Sequence, residues 1–410
     1  MTVKSSKSSR LKAAAVAAAA LAVAGSVAFA TSAGAASKHL TGASATERPT
    51  VKPEAPIGIV SADPEEQAPI LAKMHVTRHV EIAGYTFWIG TMDGKPVVDT
   101  ASGEVDETAE LTTWILDATF HPRATLFTGT AGANNAAINV GDVVLSGYVA
   151  DKSQIHYELG GYQEPYSGIE LHAVGVSDAE GAIVNSYGNV YPTPSDAANF
   201  DNENDPTDKS WIFVDALAAT KELVTIAEHA PTGTETVADA SGDAKAKGTF
   251  KNKVVVGTVG QANVWTEPLS WIEAQNMLFQ TDAEENEGSG FAFANAAAGV
   301  PWMLVRGISD TPWFPNAYDA DLAADRAAAV VEYLVARLPA TFSKAPVTMA
   351  NLSPLANARE AGYLVAGQAY FNVTPVSKVI YTSAAGKTVT LTGKSLANLT
   401  KEYKYGAAHP

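Results

Sequence analysis

Residues 300–310 read VPWMLVRGISD, and this segment decides which fold the chain can adopt. A proline opens it, apolar and aromatic residues follow, and then come Arg306, Ser309 and Asp310. A short apolar run of this kind is typical of a strand buried on both faces of a sheet. In open α/β sheets the ligand crevice lies outside the carboxyl ends of the strands, so the three polar residues predict a binding edge.

Strands and helices alternate through most of the chain, which predicts an α/β fold. Strands are predicted at residues 57–60, 79–102 (two or three strands with an Asp93-Gly94 turn), 124–133 (a strand running into a glycine-rich turn), 140–150, 254–262 and 300–310. Helices are predicted from Pro64 onward and at residues 106–120, 211–230, 269–279, 284–299 and 319–338. We therefore expect three layers, α/β/α, around a central mixed, largely parallel sheet.

Composition limits the classes of function. The 410 residues are 46% hydrophobic, which is enough for a large core, and 44 acidic against 28 basic side chains give a net charge of −16. Such a charge argues against a nucleic acid polymer or an anionic membrane as partner, because both are bound through Lys and Arg. The absence of cysteine excludes disulfides, thiol nucleophiles and cysteine-based metal sites.

The N-terminus has the pattern of a targeting segment. A basic start is followed by the Ala-dominated run AAAVAAAALAVAGSVAFA and by small residues, with Ala30 and Ala35 as candidate last residues of a cleaved signal. The alternative is a membrane anchor, since the run has the length of a marginal span. We expect a signal peptide at 1–35, a flexible lead-in at 36–55, and a secreted protein that is not held in a membrane.

Three further regions complete the domain organisation. Residues 56–340 form the predicted domain, and they include an insertion at 152–250 that is rich in Tyr, Gly, Asn and Asp and contains a polar connector at 232–253. Residues 341–410 are predicted as a C-terminal appendage with a small hairpin at 378–396.

Polar or glycine-rich segments follow four predicted strands, as a binding cleft requires. They are Ser61–Glu66, Ser102–Gly103, Thr128–Gly132 and Arg306–Asp310. Any one of them could be an ordinary solvated loop, and Arg306 and Asp310 could form a structural ion pair. Their joint occurrence favours a site.

Five motifs in this order and spacing resemble the nucleoside phosphorylase/nucleosidase superfamily. They are GIVSADPEEQ, TASGEV, TGTAGANNAAINVGDVVLS, EENEGS and VPWMLVRGISD, and the resemblance covers about residues 56–338. Within it the chain resembles 5′-methylthioadenosine/S-adenosylhomocysteine nucleosidases, and its insertion resembles that of plant bark storage proteins. The resemblance implies a nucleoside phosphorylase-like fold, a small-molecule nucleoside as ligand, no cofactor, and a homo-oligomer.

The resemblance also implies roles for individual residues. Asp310 takes the place of the acid at purine N7, Glu287 of the carboxylate that binds the ribose hydroxyls, and Glu66 of the base that activates water. Arg306 and Ser102 resemble residues on the water or anion side. The remaining substrate-binding candidates lie on the motifs or beside them: Gly129, Asn263, Val264, Trp265, Asn286 and Ser309.

The chemistry of N-glycosidic cleavage suits this set. The transition state is an oxocarbenium-like sugar that expels a purine, so it needs an acid for the base, a carboxylate near the ring and a base for the water. A phosphorylase needs convergent cations, and the motifs and their surroundings offer only Arg306 and Arg123, so hydrolysis is favoured over phosphorolysis.

Two departures from the family pattern keep another alternative open. Asn286 stands where the nucleosidases usually carry Met, and Asn263 falls where an aromatic usually stacks on the base, with Trp265 two residues on. A non-catalytic nucleoside-binding or storage-type protein on the same fold is therefore the alternative outside the enzymes.

Two candidate metal sites are set aside. The acidic segment at 200–208 lacks the Gly and Glu that an EF-hand loop requires at its sixth and twelfth positions. His75 and His79 have the spacing of zinc ligands but no third ligand. We therefore predict no metal.

Overall fold

A ten-stranded mixed sheet organises the part of the chain that the structure, a computed structural model, describes. The described residues are 55–153, 155–157, 163–165, 169–172, 183–184, 190–191, 211–214, 216–238, 247–266, 272, 279, 281–312, 318–358, 377–382 and 388–402. The predicted signal peptide, residues 36–54 of the predicted lead-in and the acidic segment at 200–208 lie outside them. None of the helices in these ranges combines the length and the apolar character needed to cross a bilayer.

The strands are numbered in chain order. They are β1 (Ile57–Ser61), β2 (His75–Ile82), β3 (Tyr85–Met92), β4 (Lys95–Ala101), β5 (Ala124–Ala133), β6 (Val143–Asp151), β7 (Ile155–Tyr157), β8 (Gln163–Pro165), β9 (Ile169–His172), β10 (Ile183–Val184), β11 (Val190–Tyr191), β12 (Trp211–Val214), β13 (Ala216–Ala218), β14 (Thr234–Ala238), β15 (Lys247–Lys251), β16 (Val254–Gln261), β17 (Ala283–Glu285), β18 (Trp302–Asp310), β19 (Lys378–Thr382) and β20 (Thr388–Thr392).

The helices with described bounds are numbered in the same way. They are α1 (Pro64–Lys73), α2 (Asp106–Phe120), α3 (Lys221–Ala227), α4 (Gly288–Ala298), α5 (Ala320–Arg337), α6 (Pro354–Asn357) and α7 (Gly393–Glu402), with a 3₁₀ turn at Met349–Asn351. Pro64 occupies the first turn of α1, where its missing N–H costs nothing. Asp319 caps α5 by accepting a hydrogen bond from the backbone N–H of Leu322.

The main sheet runs in the order β13-β6-β16-β17-β5-β1-β4-β3-β2, and β18 pairs with both β5 and β6. Strands β6, β16, β17, β5 and β18 therefore form a partly closed ring. The ladders of β1 with β4 and β5, of β16 with β6 and β17, and of β18 with β5 are parallel. Those of β13–β6, β17–β5, β18–β6, β2–β3 and β3–β4 are antiparallel. The mixed α/β fold around a central sheet is thus confirmed, but the sheet is less parallel than expected.

Two tight turns build the antiparallel edge of this sheet. Ala83 and Gly84 join β2 to β3, and Asp93 and Gly94 join β3 to β4, all four with positive φ. Positive φ at both central residues is typical of two-residue hairpin turns, because their twist matches that of the strands. The predicted Asp93-Gly94 turn is confirmed.

The core lies between the sheet and two groups of helices. Strands β1, β5, β6 and β18 are almost entirely buried, which explains their nearly continuous apolar sequences. Helix α2 packs against α4, while α1 and α3 pack against α5, which lies on β5 and β18. The buried stripe of α5 repeats at helical spacing, at Ala323, Ala327, Val331 and Leu334.

Segments after residue 338 contribute to the same core. The backbone N–H of Val347 donates to the carbonyl of Ala219 at 2.8 Å, and that of Ser353 donates to Val256 at 2.9 Å. Val347 and Leu352 are buried. Strands β19 and β20 form the predicted antiparallel hairpin.

Three local predictions are wrong. Residues 211–230 were expected to form one helix, but they form β12, β13 and the short α3, because the apolar run pairs with β9 and β6. The expected polar connector at 232–253 contains the hairpin of β14 and β15. The expected glycine-rich turn after 128 is strand, since β5 continues to Ala133 along β18. In the first and third cases pairing with a distant segment overrides the local pattern, whereas β14 and β15 pair with each other.

Candidate active site

The glycines at the end of β5 form the floor of the candidate site. Gly129 pairs in register with Arg306, and Gly132 pairs with Asp310, in the parallel ladder of β5 and β18. A β-carbon at Gly129 would collide with the carboxylate of Glu66, and one at Gly132 would lie 3.4 Å from Oδ2 of Asp310. The absence of side chains on this strand end lets carboxylates from other elements lie directly over it.

Glu66 is placed over this floor by the start of α1. Asp63 caps the helix by accepting hydrogen bonds from the backbone N–H groups of Glu65 and Glu66, at 2.7 and 2.8 Å. The side chain of Glu66 accepts from the N–H of Ala62 at 3.0 Å and of Thr130 at 2.6 Å, and it is only 6% exposed. The start of α1 and the end of β5 therefore hold the carboxylate of Glu66 between them.

Burial raises the pKa of Glu66 above its ordinary value. The Arg306 guanidinium and the two backbone N–H groups act in the opposite direction, because they stabilise the carboxylate, but burial dominates. A carboxylate with a raised pKa is a better proton acceptor than a solvated one.

Arg306 is the central cation of the site. Its guanidinium is fully buried, donates to Glu285 and Glu287, and lies 3.3 Å from the carbonyl of Thr130. It also stacks 4.5 Å from the ring centroid of Phe127. Arg306 therefore binds two carboxylates of the segment 285–287 and ties them to β5.

Glu287 precedes the first residue of α4 and is buried. Its Oε2 accepts from Nη2 of Arg306 at 3.0 Å. Burial, together with the nearby charges of Glu285 and Glu66, raises the pKa of Glu287 to about 8, although Arg306 lowers it. Part of this shift reflects the crowding of three carboxylates around one guanidinium.

Asp310 ends β18 at the half-buried rim of the site. The hydroxyl of Ser309 lies 2.7 Å from its Oδ1 and 3.3 Å from the carbonyl of Ala131. Oδ2 lies on the side of Gly132. The phenol of Tyr318 lies near both Glu66 and Asp310. Burial raises the pKa of Tyr318, and the charges of Glu66 and Asp310 raise it further.

Four of the predicted residues therefore converge. Glu66, Glu287, Arg306 and Asp310 come from three separate segments, since Arg306 and Asp310 share β18, and each contacts β5 or a residue bound to β5 between Gly129 and Gly132. Their separation in sequence means that only the fold brings them together. What each of them does stays a prediction.

A sequence model of the phosphorylase superfamily matches residues 56–336, which is well over half of the chain. The chain belongs to the phosphorylase superfamily. The resemblance seen in the sequence motifs is thereby confirmed, and the converging residues all lie within the matched range.

Individual members of the superfamily match over shorter lengths. The 5′-methylthioadenosine/S-adenosylhomocysteine nucleosidase of Psychromonas ingrahamii is 36% identical over 108 residues, which are 25% of this chain and 47% of that protein. The enzyme of the same name from Colwellia psychrerythraea is 37% identical over 107 residues, 25% of this chain and 44% of that protein. The chain thus spans about half the length of the curated relatives that it matches.

Solved structures of the superfamily are similar at low identity. The nucleosidase of Colwellia psychrerythraea in complex with adenine has a TM-score of 0.48 and 22% identity, covering 72% of this chain and 99% of that one. The futalosine hydrolase of Helicobacter pylori has a TM-score of 0.46 and 19% identity, covering 70% and 99%.

Glu285 is a site residue of this superfamily member that the motif reading did not single out. It accepts hydrogen bonds from the N–H groups of Glu287 and Gly288, both at 3.0 Å, and from Arg306. It therefore orients both the start of α4 and the guanidinium. The signal was present in the sequence: a guanidinium has five N–H donors and can bind two carboxylates, and the pattern Glu-x-Glu at 285–287 supplies two.

Ser102 lies beside the site but is turned to the backbone. Its hydroxyl contacts the carbonyls of Ser61 and Gly103, at 3.2 and 3.0 Å, and its N–H donates to Ser61. Ser102 joins the end of β4 to the end of β1. Its described contacts therefore position the segment that leads into α1 and Glu66.

The candidates after β16 lie at an exposed rim. Asn263 donates to Oδ1 of Asp106 at 2.8 Å, and Val264 and Trp265 are 60% and 59% exposed. Trp265 packs against Tyr318 with ring centroids 5.5 Å apart. Asn286 accepts, through its backbone carbonyl, from Gln261 at 3.0 Å.

Arg123 and the two histidines considered as metal ligands lie away from this floor. Arg123 precedes β5 at its opposite end and donates to the carbonyl of Pro339. His79 packs on Trp88 in the β2–β3 hairpin, with ring centroids 5.1 Å apart. Within the described ranges no cluster of three or more His, Asp or Glu side chains has the arrangement of a metal site.

Proposed function

We propose that the chain is an exported purine nucleosidase, built on a three-layer α/β/α form of the superfamily fold. The observation that carries the proposal is the convergence of Glu66, Glu287 and Asp310 over the Gly129–Gly132 floor. The printed names of the curated relatives support the same chemistry. Export is supported by the signal-like pattern of residues 1–35.

Glu66 acts as the general base on the attacking water. Its carboxylate is fixed by two backbone N–H groups, so no reorganisation is needed when the proton moves. Its raised pKa strengthens it as a proton acceptor. The water then attacks the anomeric carbon of the ribose.

Glu287 binds the ribose hydroxyls and stabilises the positive charge that develops on the ring. Arg306 and Glu285 hold its carboxylate in place from below. The negative charge around Arg306 favours the cationic sugar of the transition state over the neutral nucleoside, which lowers the barrier.

Asp310 protonates the leaving purine at N7. The hydroxyl of Ser309 lies 2.7 Å from Oδ1, and Oδ2 lies on the side of Gly132, so the carboxyl is positioned at the end of β18 to transfer its proton. A purine is a poor leaving group as an anion, so an acid at this position supplies about two to four orders of magnitude in rate.

Charge favours water over phosphate as the nucleophile. Arg306 is shared between two carboxylates, Lys152 is paired with Glu284, and Arg123 contacts a carbonyl at the other end of β5. A phosphate dianion entering this site would face Glu66 and Glu287 without a matching pair of cations. Phosphorolysis is the alternative within the enzymes.

A non-catalytic nucleoside-binding role is the second candidate. It is favoured by the position of Asn263, whose side chain is tied to Asp106 and lies at the exposed rim where relatives stack an aromatic on the base. This candidate expects nucleoside binding by calorimetry without release of base.

Product analysis separates these possibilities. The secreted protein is incubated with adenosine, inosine and methylthioadenosine, with and without phosphate, and free base and sugar products are separated by chromatography. Free ribose or methylthioribose formed at a phosphate-independent rate supports the proposal. Release that requires phosphate and gives a sugar 1-phosphate shows a phosphorylase, and binding without release shows a binding protein.

A further inference from the structure

A row of residues in register crosses the sheet beside Asp310. Ala150 on β6 pairs with Gly260 on β16, Gly260 pairs with Glu284 on β17, Glu284 pairs with Gly132 on β5, and Gly132 pairs with Asp310 on β18. Residues in register on neighbouring strands share one face of a sheet. Glu284 and Asp310 therefore stand on the same face, with a glycine between them.

The two glycines of this row are covered by long polar side chains. A β-carbon at Gly260 would lie 2.8 Å from Cδ of Lys152, so the lysine stem crosses the sheet at that point. A β-carbon at Gly132 would lie 3.4 Å from Oδ2 of Asp310 and 3.8 Å from Cγ of Glu284. The ammonium of Lys152 is thus carried toward the same edge of the sheet as the carboxyl of Asp310.

Lys152 and Glu284 form a buried ion pair. Nζ lies 2.5 Å from Oε2, and the side chains are only 1% and 9% exposed. The other oxygen of Glu284 accepts from the N–H of Thr266 at 2.9 Å, and Nδ2 of Asn134 lies 3.5 Å from Oε2. Glu284 is therefore held on both oxygens, and it fixes the position of the ammonium.

Stability does not account for such a pair. Removing two charges from water costs several kcal/mol per ion, and replacing a buried ion pair by apolar residues of similar size is often neutral or stabilising. A pocket that binds a planar base is mostly apolar, with a few polar groups that fix orientation and specificity. The Lys152–Glu284 pair lies next to Asp310, the proposed acid at purine N7. A polar group at this position can fix the orientation of the base.

We propose that Lys152 is a specificity-determining residue of the base subsite, and this inference rests on the proposed nucleosidase function. With N7 of the purine at Asp310, the ammonium of Lys152 donates a hydrogen bond to an acceptor on the six-membered ring. That acceptor is N1 of a 6-aminopurine or O6 of a 6-oxopurine. Glu284 keeps the ammonium charged and in place.

The test compares three substrates on two forms of the full-length protein. Adenosine and inosine carry the acceptor, whereas the six-membered ring of benzimidazole riboside has neither nitrogen nor oxygen. The double substitution Lys152→Met/Glu284→Gln removes the donor without leaving an unpaired charge. We expect kcat/KM to fall by about 10- to 100-fold on the better of adenosine and inosine, and to change little on benzimidazole riboside.

A second ion pair provides the matched control. Lys253 contacts Asp142 at 2.7 Å at the start of β16, the end opposite Lys152. Lys253→Met removes a lysine paired with a buried carboxylate, and it should change all three substrates by one common factor. Equal losses on all substrates in the double variant, or no loss on any, overturn the inference.

Binding of free bases separates the inference from the proposed function. If the wild-type protein releases no base from any nucleoside, the nucleosidase proposal fails by itself. Calorimetry with adenine, hypoxanthine and benzimidazole then decides the role of Lys152. A 10- to 100-fold weaker affinity of the double variant for adenine or hypoxanthine, with benzimidazole unchanged, supports it, and equal affinities or no binding of these bases overturn it.

Discussion

Two sets of buried carboxyl groups in this protein differ in what surrounds them. Glu285 and Glu287 bind the guanidinium of Arg306, and Glu66 lies near enough to feel its charge, beside the glycines of β5. Asp99 and Asp117 lie deep in the core, where neutral partners, Gln67 and Thr125, donate to one oxygen of each.

Burial raises the pKa of residues in both sets, to about 8 for Asp99, to about 7 for Asp117 and to about 8 for Glu287. A raised pKa therefore does not mark the site. What distinguishes the site is that several carboxylates from distant segments meet at one cation, beside backbone that carries no side chain.

The largest expected effect is the loss of catalysis when Glu66 is replaced. Glu66→Gln should lower kcat for nucleoside cleavage by about 10²- to 10⁴-fold, because the amide cannot take the proton of water. Asp117→Asn is the matched control, since Asp117 is also buried and has a raised pKa but lies outside the site. It should leave the rate nearly unchanged. Similar losses in both variants would remove the distinction between the two sets.

Arg306→Met tests whether the cation holds the site carboxylates together. The substitution leaves Glu285 and Glu287 buried without their partner, so the free energy of unfolding should fall by about 3–5 kcal/mol. Urea denaturation monitored by fluorescence measures it. An unfolding free energy equal to that of the wild type would mean that the carboxylates do not depend on Arg306.

Gly129 and Gly132 of β5 differ in how closely a catalytic carboxylate approaches them. A β-carbon at Gly129 collides with the Glu66 carboxylate, whereas one at Gly132 makes an ordinary contact with Asp310. Gly129→Ala should therefore lower kcat by about 10²-fold, the usual result of misplacing a catalytic group, and Gly132→Ala much less. Steady-state kinetics of the two variants, with unfolding curves to compare their stability, checks the order. A larger loss for Gly132→Ala would contradict it.

Asp99 of the core set should make stability depend on pH. Because the pKa of Asp99 is raised in the folded protein, its contribution is fully present below about pH 4 and is lost as the pH rises toward about 8. Relative to Asp99→Asn, the wild type should lose at most about 1.4 kcal/mol per pH unit across that window. Urea unfolding of both proteins between pH 4 and 8 measures the difference. Parallel curves would show that Asp99 does not titrate this way.

Much of the site was predictable from local sequence, and the reason is physical. The apolar run of β18, the Pro64 start of α1 and the Asp319 cap of α5 are short-range signals, and they fixed where Glu66 and Arg306–Asp310 stand on their elements. The motif order then indicated that these strand ends meet. The family match confirms the resemblance on which that step depended.

The parts that sequence could not give depend on long-range pairing. Residues 211–218 have an apolar pattern that suits a helix, yet they lie as strands along β9 and β6. The glycines at 129 and 132 suggested a turn, but β18 pairs with them and keeps β5 extended. Lys152 and Glu284 lie more than a hundred residues apart, and nothing local connects them before the sheet does.

A crystal structure of the Glu66→Gln protein with an intact purine nucleoside tests the central claim most directly. The account predicts that the nucleoside lies over Gly129–Gly132, with its ribose hydroxyls within hydrogen-bonding distance of Glu287 and purine N7 within that distance of Asp310. A nucleoside bound elsewhere, or bound here with its base turned away from Asp310, would contradict the account.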